Sequence, residues 1–365
     1  MPATVEVIGR RRRLDADTVG RLHAICRSRR ANIVHAHDGA SQFIGALLRM
    51  RRPSVKLLMT FHRSLGFESA RVRDRIRNAL VGPLTAAVVV PSRERRQHYV
   101  GQNYVPARKV VRIPIGIDLA RFRHERHERD HIRAELGVER DTIVLGAVGH
   151  FGPEKGLDII FRGLRALCTR KLGSSVALLV MGDGKPSDRQ RLQDLAASIR
   201  PARVILMGFQ RHVERWLQAC DVFVHMPRQE AFGMAVVEAM ASALPIVASK
   251  VGGLTDIVQP MVNGWLVNPD SQEDLVQALQ ALICSPRLRR EMAGKSHEIA
   301  VAEFGSERYA RRHLRLYRDL LAGRRCRGVD EPERDPASPP HRLFAQPFSA
   351  VTARDRVHAT GELAW

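Results

Sequence analysis

The stretch Arg228-Gln-Glu-Ala-Phe-Gly-Met-Ala-Val-Val-Glu-Ala-Met240 decides how this chain is read. Glu230 and Glu238 stand eight positions apart, with Phe232 and Gly233 between them. Residues 234–243 have helical character, and Pro245 closes the run. A helix that starts at a glycine presents free N–H groups and a positive dipole end, a suitable seat for a diphosphate. The carboxylates can accept hydrogen bonds from sugar and ribose hydroxyls. Two glutamates at a fixed spacing are common, however, and fit a solvated face beside a core helix. The neighbouring sequence has to decide.

Upstream, Val144-Leu-Gly-Ala-Val-Gly149 is an apolar run ending in glycine, followed by Pro153-Glu-Lys-Gly156. Val176-Ala-Leu-Leu-Val-Met-Gly-Asp-Gly184 and Val204-Ile-Leu-Met-Gly208 repeat the pattern. Asp221-Val-Phe-Val-His225 runs into the glutamate segment, and Pro245-Ile-Val-Ala-Ser249 leads to Gly252-Gly253. Short β-branched runs that end in glycine turns and alternate with helices predict a parallel sheet. Ligands bind such sheets beyond the carboxyl ends of the strands. Lys155, Gly184, Gly208, Glu230 and Gly253 all fall there.

The first half alternates in the same way. Strands are expected at 5–9, 32–37, 56–62, 86–92 and 110–116, with helices at 16–29 and 40–49. The charged, histidine-rich stretch 118–140 reads as a connection. It divides a domain over 1–125 from a second over 126–305. Residues 306–322 hold an amphipathic basic helix. The remainder, 323–365, contains five prolines and little periodicity, and disorder is expected there.

Composition bounds the answer. With 365 residues and 44% hydrophobic content, two ordinary cores can be buried. No apolar run approaches the roughly 18 residues of a membrane span. The start of the chain, with arginines at positions 10 to 13, has the wrong order for a signal peptide. Cys26, Cys168, Cys220, Cys284 and Cys326 are scattered, which fits a reducing cytoplasm and no zinc site. The net charge is +21, and residues 1–130 carry 27 Lys and Arg against 11 Asp and Glu. This asymmetry points to an anionic partner: a membrane surface, a lipid-linked acceptor or nucleic acid. Aromatic residues make up 5% of the chain and no nucleic-acid module is present, so nucleic acid is not expected. A simpler reading is compositional drift, since 52 of the 59 basic residues are arginine. Arg10 to Arg13, and Arg71, Arg73, Arg75 and Arg77, are the densest clusters.

Taken together, Gly149…Glu154-Lys155-Gly156, Met181-Gly-Asp-Gly184, Glu230…Phe232-Gly233…Glu238-Ala-Met240, Pro245-Ile-Val-Ala-Ser249…Gly252-Gly253 and Asn263-Gly-Trp-Leu-Val267 resemble the donor-binding half of a family-four glycosyltransferase. The resemblance implies an α/β chain of the GT-B fold: two Rossmann-like doubly wound domains with the active site in the cleft between them. It implies transfer of a sugar from a nucleotide diphosphate, with retention at the anomeric carbon. The acceptor would be a glycan or lipid-linked molecule of the lipopolysaccharide, glycolipid or exopolysaccharide type. The protein would be a hexosyltransferase of the cytoplasm, in peripheral contact with an anionic membrane surface. A metal is not expected, because no Asp-x-Asp pair follows an apolar strand.

The same resemblance distributes roles. Lys155, with the N–H groups of Gly233 and Met234 beside Phe232, would stabilise the leaving diphosphate. Glu230 would sit by the sugar and Glu238 on the ribose. The base would lie near Gly208 and Phe209, and His150 also belongs to the donor site. His62, in Thr60-Phe-His-Arg-Ser64, matches a histidine placed near the transferred sugar, where it could bond a hydroxyl or relieve developing charge. A structural histidine at a strand end is the plainer reading. For His35 and His37, sheet packing or loop bracing is expected.

Three departures stand against the pattern. The family's first strand and glycine-rich loop are not seen before His35, which implies an incomplete N-terminal domain. His150 replaces a usual arginine, leaving Lys155 as the fixed cation. Ile115 and Asp256 replace a usual asparagine and glutamate. Two other classes stay open. One is a non-catalytic scaffold or regulatory subunit that binds the sugar nucleotide. The other is a sugar-nucleotide epimerase on the same two-domain body.

Overall fold

Short apolar runs form the strands of two parallel sheets in the computed structural model, which describes residues 5–8, 16–62, 79–102, 105–122, 126–170 and 176–324. The first sheet holds β1 (Ile33–Ala36), β2 (Lys56–Thr60), β3 (Thr85–Val90) and β4 (Val110–Arg112), paired in that order. The second holds β5 (Ile143–Val148), β6 (Val176–Met181), β7 (Arg203–Gly208), β8 (Val222–His225), β9 (Ile246–Ser249) and β10 (Gly264–Val267). Its order is β10-β9-β8-β5-β6-β7. The chain winds outward from β5 to β7 and returns to β8 on the other side of β5. The reversal lies between β5 and β8, and loops that leave such a switch point frame a ligand crevice.

Both faces of the second sheet are covered, which is why its strands read as unbroken apolar runs. Alternate residues divide between two cores. Leu145, Ala147, Leu178, Val180, Val222 and Val224 pack with Phe161, Leu164 and Leu279 on one face. Val144, Leu179, Met181, Phe223 and Ile246 pack with Val236, Val237 and Met240 on the other. The helix Met234–Ala241 is therefore apolar along its inner side and leaves only its start at the sheet's carboxyl edge.

One expectation needs correction. Residues 5–8 form no strand, and Val5 and Val7 are 86% and 92% exposed. A strand requires a paired edge or a covered face, and these side chains have neither. The connection at 118–140 carries the helix Arg126–Glu135, whose Ile132 is fully buried. That helix is tied to the second sheet through Asp221, which accepts hydrogen bonds from Arg129 at 2.6 Å, Arg133 at 3.4 Å and the Val144 N–H at 2.8 Å.

The helix Ser306–Leu321 returns to the first sheet. Its Leu316 and Leu320 pack with Leu58, Val89, Val111 and Ile113. Among the described residues, no helix is long and apolar enough to cross a membrane. The clusters Arg10 to Arg13 and Arg71 to Arg77, and the tail from 325 onward, lie outside the described residues.

Candidate functional site

The loops after β5 and β8 lie side by side at the switch point, and glycine permits their contact. Gly156 has φ +62°, and a Cβ there would strike the carbonyl oxygen of Met226. Gly252, after β9, has φ +52°, and its Cβ would strike the carbonyl of Glu230. These left-handed positions strain any L side chain, and the backbone contacts leave no room for one.

The packing brings Lys155 to Glu230. Lys155 Nζ donates to Glu230 Oε2 at 2.9 Å, and His225 Nε2 lies 3.2 Å from the same oxygen. A carboxylate only accepts, so His225 must carry its proton on Nε2. Burial alone would raise the pKa of Glu230. Hydrogen bonds and charge from His225 and Lys155 outweigh it and hold the carboxyl at about 2. Glu230 is thus a fixed anion, and the Lys155 ammonium rests on it.

Arg228 holds this arrangement from below. Its guanidinium donates to both oxygens of Asp158, at 2.9 and 2.8 Å, and to Asp270 at 3.1 Å. It also donates to the Pro153 carbonyl at 2.6 Å, and its backbone N–H donates to the Glu154 carbonyl at 2.9 Å. Arg228 therefore clamps the turn that presents Lys155 and has little left for a ligand. His150 is exposed and accepts from the Gly152 N–H at 3.0 Å, which braces the same turn.

Beyond this cluster the helix Met234–Ala241 begins at Gly233, which has φ +111°. Phe232 is buried against Phe304, with ring centroids 5.9 Å apart, so it faces the core and not the crevice. Met234 is partly exposed at the helix start. One turn further, burial raises the carboxyl of Glu238 to about 7, with Arg121 lowering it and Glu214 adding to the rise. Arg121 and Glu214 are paired at 2.9 Å. Phe209, beside the left-handed Gly208, is 74% exposed. An exposed phenyl ring at a strand end offers a platform for a planar base.

His62 lies in a different cluster, on the first sheet. His37 Nδ1 and His62 Nε2 are 3.0 Å apart, and the His35 ring lies tilted against His37 with centroids 4.4 Å apart. His35 also meets Tyr317 Oη at 2.7 Å and Thr60 Oγ1 at 2.6 Å. Burial, then the neighbouring histidines, lower His35 to about 3. His62 is lowered by burial and by His37. Both are neutral near pH 7, so His62 offers a hydrogen bond and not a charge. No hydrogen bond or ion pair joins His62 to Lys155 or Glu230 among the described residues.

Sequence reading missed His225, Arg228's clamp, and the pairing of Lys155 with Glu230. A histidine closing an apolar strand was the available signal for the first. The other two depend on the order of the strands. Among the described residues, no group of His, Cys, Asp and Glu is placed to hold a metal ion.

Known proteins resemble the chain as a whole. A family model described as Glycosyl transferases group 1 matches residues 128–298, and one described as Glycosyltransferase Family 4 matches residues 2–121. D-inositol 3-phosphate glycosyltransferase 1 of Catenulispora acidiphila is 31% identical over 316 residues, covering 81% of this chain and 74% of that protein. Lipopolysaccharide 1,2-N-acetylglucosaminetransferase of Salmonella typhimurium is 26% identical, covering 73% of this chain and 67% of its own. The crystal structure of Anabaena Alr3699/HepE in complex with UDP and glucose superposes with a TM-score of 0.73 at 22% identity, covering 83% of this chain and 81% of that one. With two parallel sheets, a doubly wound second half and the glutamate-bearing loop at its switch point, the chain belongs to the family-four glycosyltransferases of the GT-B fold.

Proposed function

We propose that the protein transfers a hexosyl group from a uridine diphosphate sugar to a glycan or lipid-linked acceptor, with retention at the anomeric carbon and without a metal. The observation that carries this reading is the Lys155–Glu230–His225 cluster at the switch point, beside a helix start at Gly233. Relatives named for sugar transfer and a neighbour solved with UDP and glucose support the donor class.

The chemistry follows from the charges. An incoming diphosphate competes with Glu230 for Lys155 and takes hydrogen bonds from the N–H groups of Gly233 and Met234. Those groups stabilise the negative charge that grows on the leaving phosphate. Glu230, still held by His225, is left as a carboxylate for a sugar hydroxyl or for positive charge at the anomeric carbon. The uracil ring stacks at Phe209, and Glu238 accepts from the ribose hydroxyls.

Glu238 gives this donor site a test. Its replacement by alanine should weaken UDP binding by about 1.5–3 kcal/mol, the range for hydrogen bonds to a charged group. A pH dependence should accompany it. Free Glu238 is half protonated at about pH 7, and the ribose is bound by the ionised form. Affinity should therefore rise with pH up to and just beyond neutrality, with proton release below it, and then level. Isothermal titration of UDP across this range measures both effects. Equal affinity for the wild type and Glu238→Ala would remove Glu238 from the donor site.

A further inference from the structure

Arg95 sits on the helix Arg93–Gln102, which follows β3 in the first half. The residue is 5% exposed, and its Nε and Nη1 are buried without a hydrogen-bond partner. His98, one helical turn further on, has its Nε2 buried without a partner too. Residues three apart share a helical face, so the two groups are neighbours. Burial, then the charge of Arg95, lower His98, which is therefore neutral and can donate one hydrogen bond.

This helix faces the sugar-nucleotide loops. The Arg93 N–H donates to Asp256 Oδ2 at 2.7 Å, just past Gly253. The Glu94 carboxylate lies against Gly252, which itself packs on the backbone of Glu230. Burial lowers the pKa of Arg95, and the charges of Glu94 and Glu230 act against that lowering. Neither carboxylate bonds to Nε or Nη1 of the guanidinium. A guanidinium withdrawn from water with two of its three nitrogens unmet is costly. The charges of Glu94 and Glu230 offset part of that cost, but Nε and Nη1 still have no hydrogen-bond partner.

We propose that Arg95, together with His98, binds an oxyanion carried by the acceptor, a phosphate or a carboxylate, on the first-half wall beside Glu230. The proposal rests on the transferase reading above. Arginine presents a planar fork of donors that fits either group. The donor diphosphate has its own seat at Lys155 and Gly233, on the second half. Arg95 belongs to the half left for the acceptor. Glu94 and Glu230 act as repulsive neighbours, so only an anion that engages both Arg95 and His98 gains enough to stay.

Isothermal titration of inorganic phosphate into UDP-saturated protein tests this, with acetate as a second arm that separates phosphate from carboxylate. The wild type should bind at least one of the two. Arg95→Met should weaken that binding at least tenfold and leave UDP affinity within twofold, because it keeps the bulk of the side chain and removes the donors. Arg95→Lys keeps the charge but not the fork, and should weaken binding about threefold or more. Neither anion binding UDP-saturated wild type, or both variants binding as the wild type does, would overturn the proposal. A tenfold loss of UDP affinity in Arg95→Met would also overturn it, by assigning the guanidinium to the donor. A wild type that fails to bind UDP would instead strike the transferase reading itself.

Discussion

Replacing Lys155 with alanine should lower turnover by about 10²-fold or more while the protein stays folded, the scale for losing one preorganised stabiliser of transition-state charge. The expectation rests on how the described cations around the turn that carries Lys155 are engaged. Arg228 spends its guanidinium on Asp158, Asp270 and the Pro153 carbonyl. His150 accepts from the Gly152 N–H. Neither can swing to a diphosphate without breaking the turn that carries Lys155. The substitution also removes one of the partners that lower Glu230, although His225 continues to hold it down. Steady-state assays with a UDP-sugar give the number. Near-normal turnover would show that a different cation holds the diphosphate.

The largest loss of stability is expected for Asp221→Ala, about 3–5 kcal/mol, the cost of stranding buried charges. Arg133 is only 4% exposed, and Arg129 and the Val144 N–H lose their acceptor in the same step. Arg133 keeps bonds to the carbonyls of Glu139 and Thr142, which places the effect toward the lower end of that range. Asp221 precedes β8, at the sheet's amino edge, so the crevice is not touched directly. Urea denaturation should show a reduced midpoint with an unchanged slope. A loss below about 1 kcal/mol would mean that the arginines find new partners in the boundary helix.

Most of the second sheet was legible because its strands announce themselves. β6 is six apolar residues before Gly182, and β8 is four residues, three of them apolar, before the glutamate loop. Helix coverage on both faces favours apolar residues throughout such strands. The boundary helix Arg126–Glu135 was not legible, since its charged residues face partners that sequence does not show. Arg129 meets the Gln218 and Cys220 carbonyls as well as Asp221, some 90 positions away.

The site shows the same division. Glu230, Glu238, Gly233 and Lys155 are singled out by residue type and by their places at strand ends. That Lys155 and Glu230 touch follows only from β5 lying next to β8, across 75 positions. Phe232 reads as a ligand contact because it adjoins Gly233. Its partner Phe304 lies far along the chain and draws the ring inward. The histidine cluster likewise needs Tyr317 and His313 from the helix Ser306–Leu321 before His35 acquires its environment.

The central claim is sugar transfer with retention, and the anomeric configuration of the first-formed product tests it most directly. The protein would be incubated with UDP-glucose, UDP-galactose or UDP-N-acetylglucosamine carrying ¹³C at C1, and followed by NMR from the first minutes. These donors are α-linked at the anomeric carbon. The account predicts an α-configured product, on an added acceptor or as the free sugar from slow hydrolysis, with the β form of the free sugar appearing only through later mutarotation. A β-configured first product, or UDP binding with no donor consumed in the presence of acceptors, would contradict it.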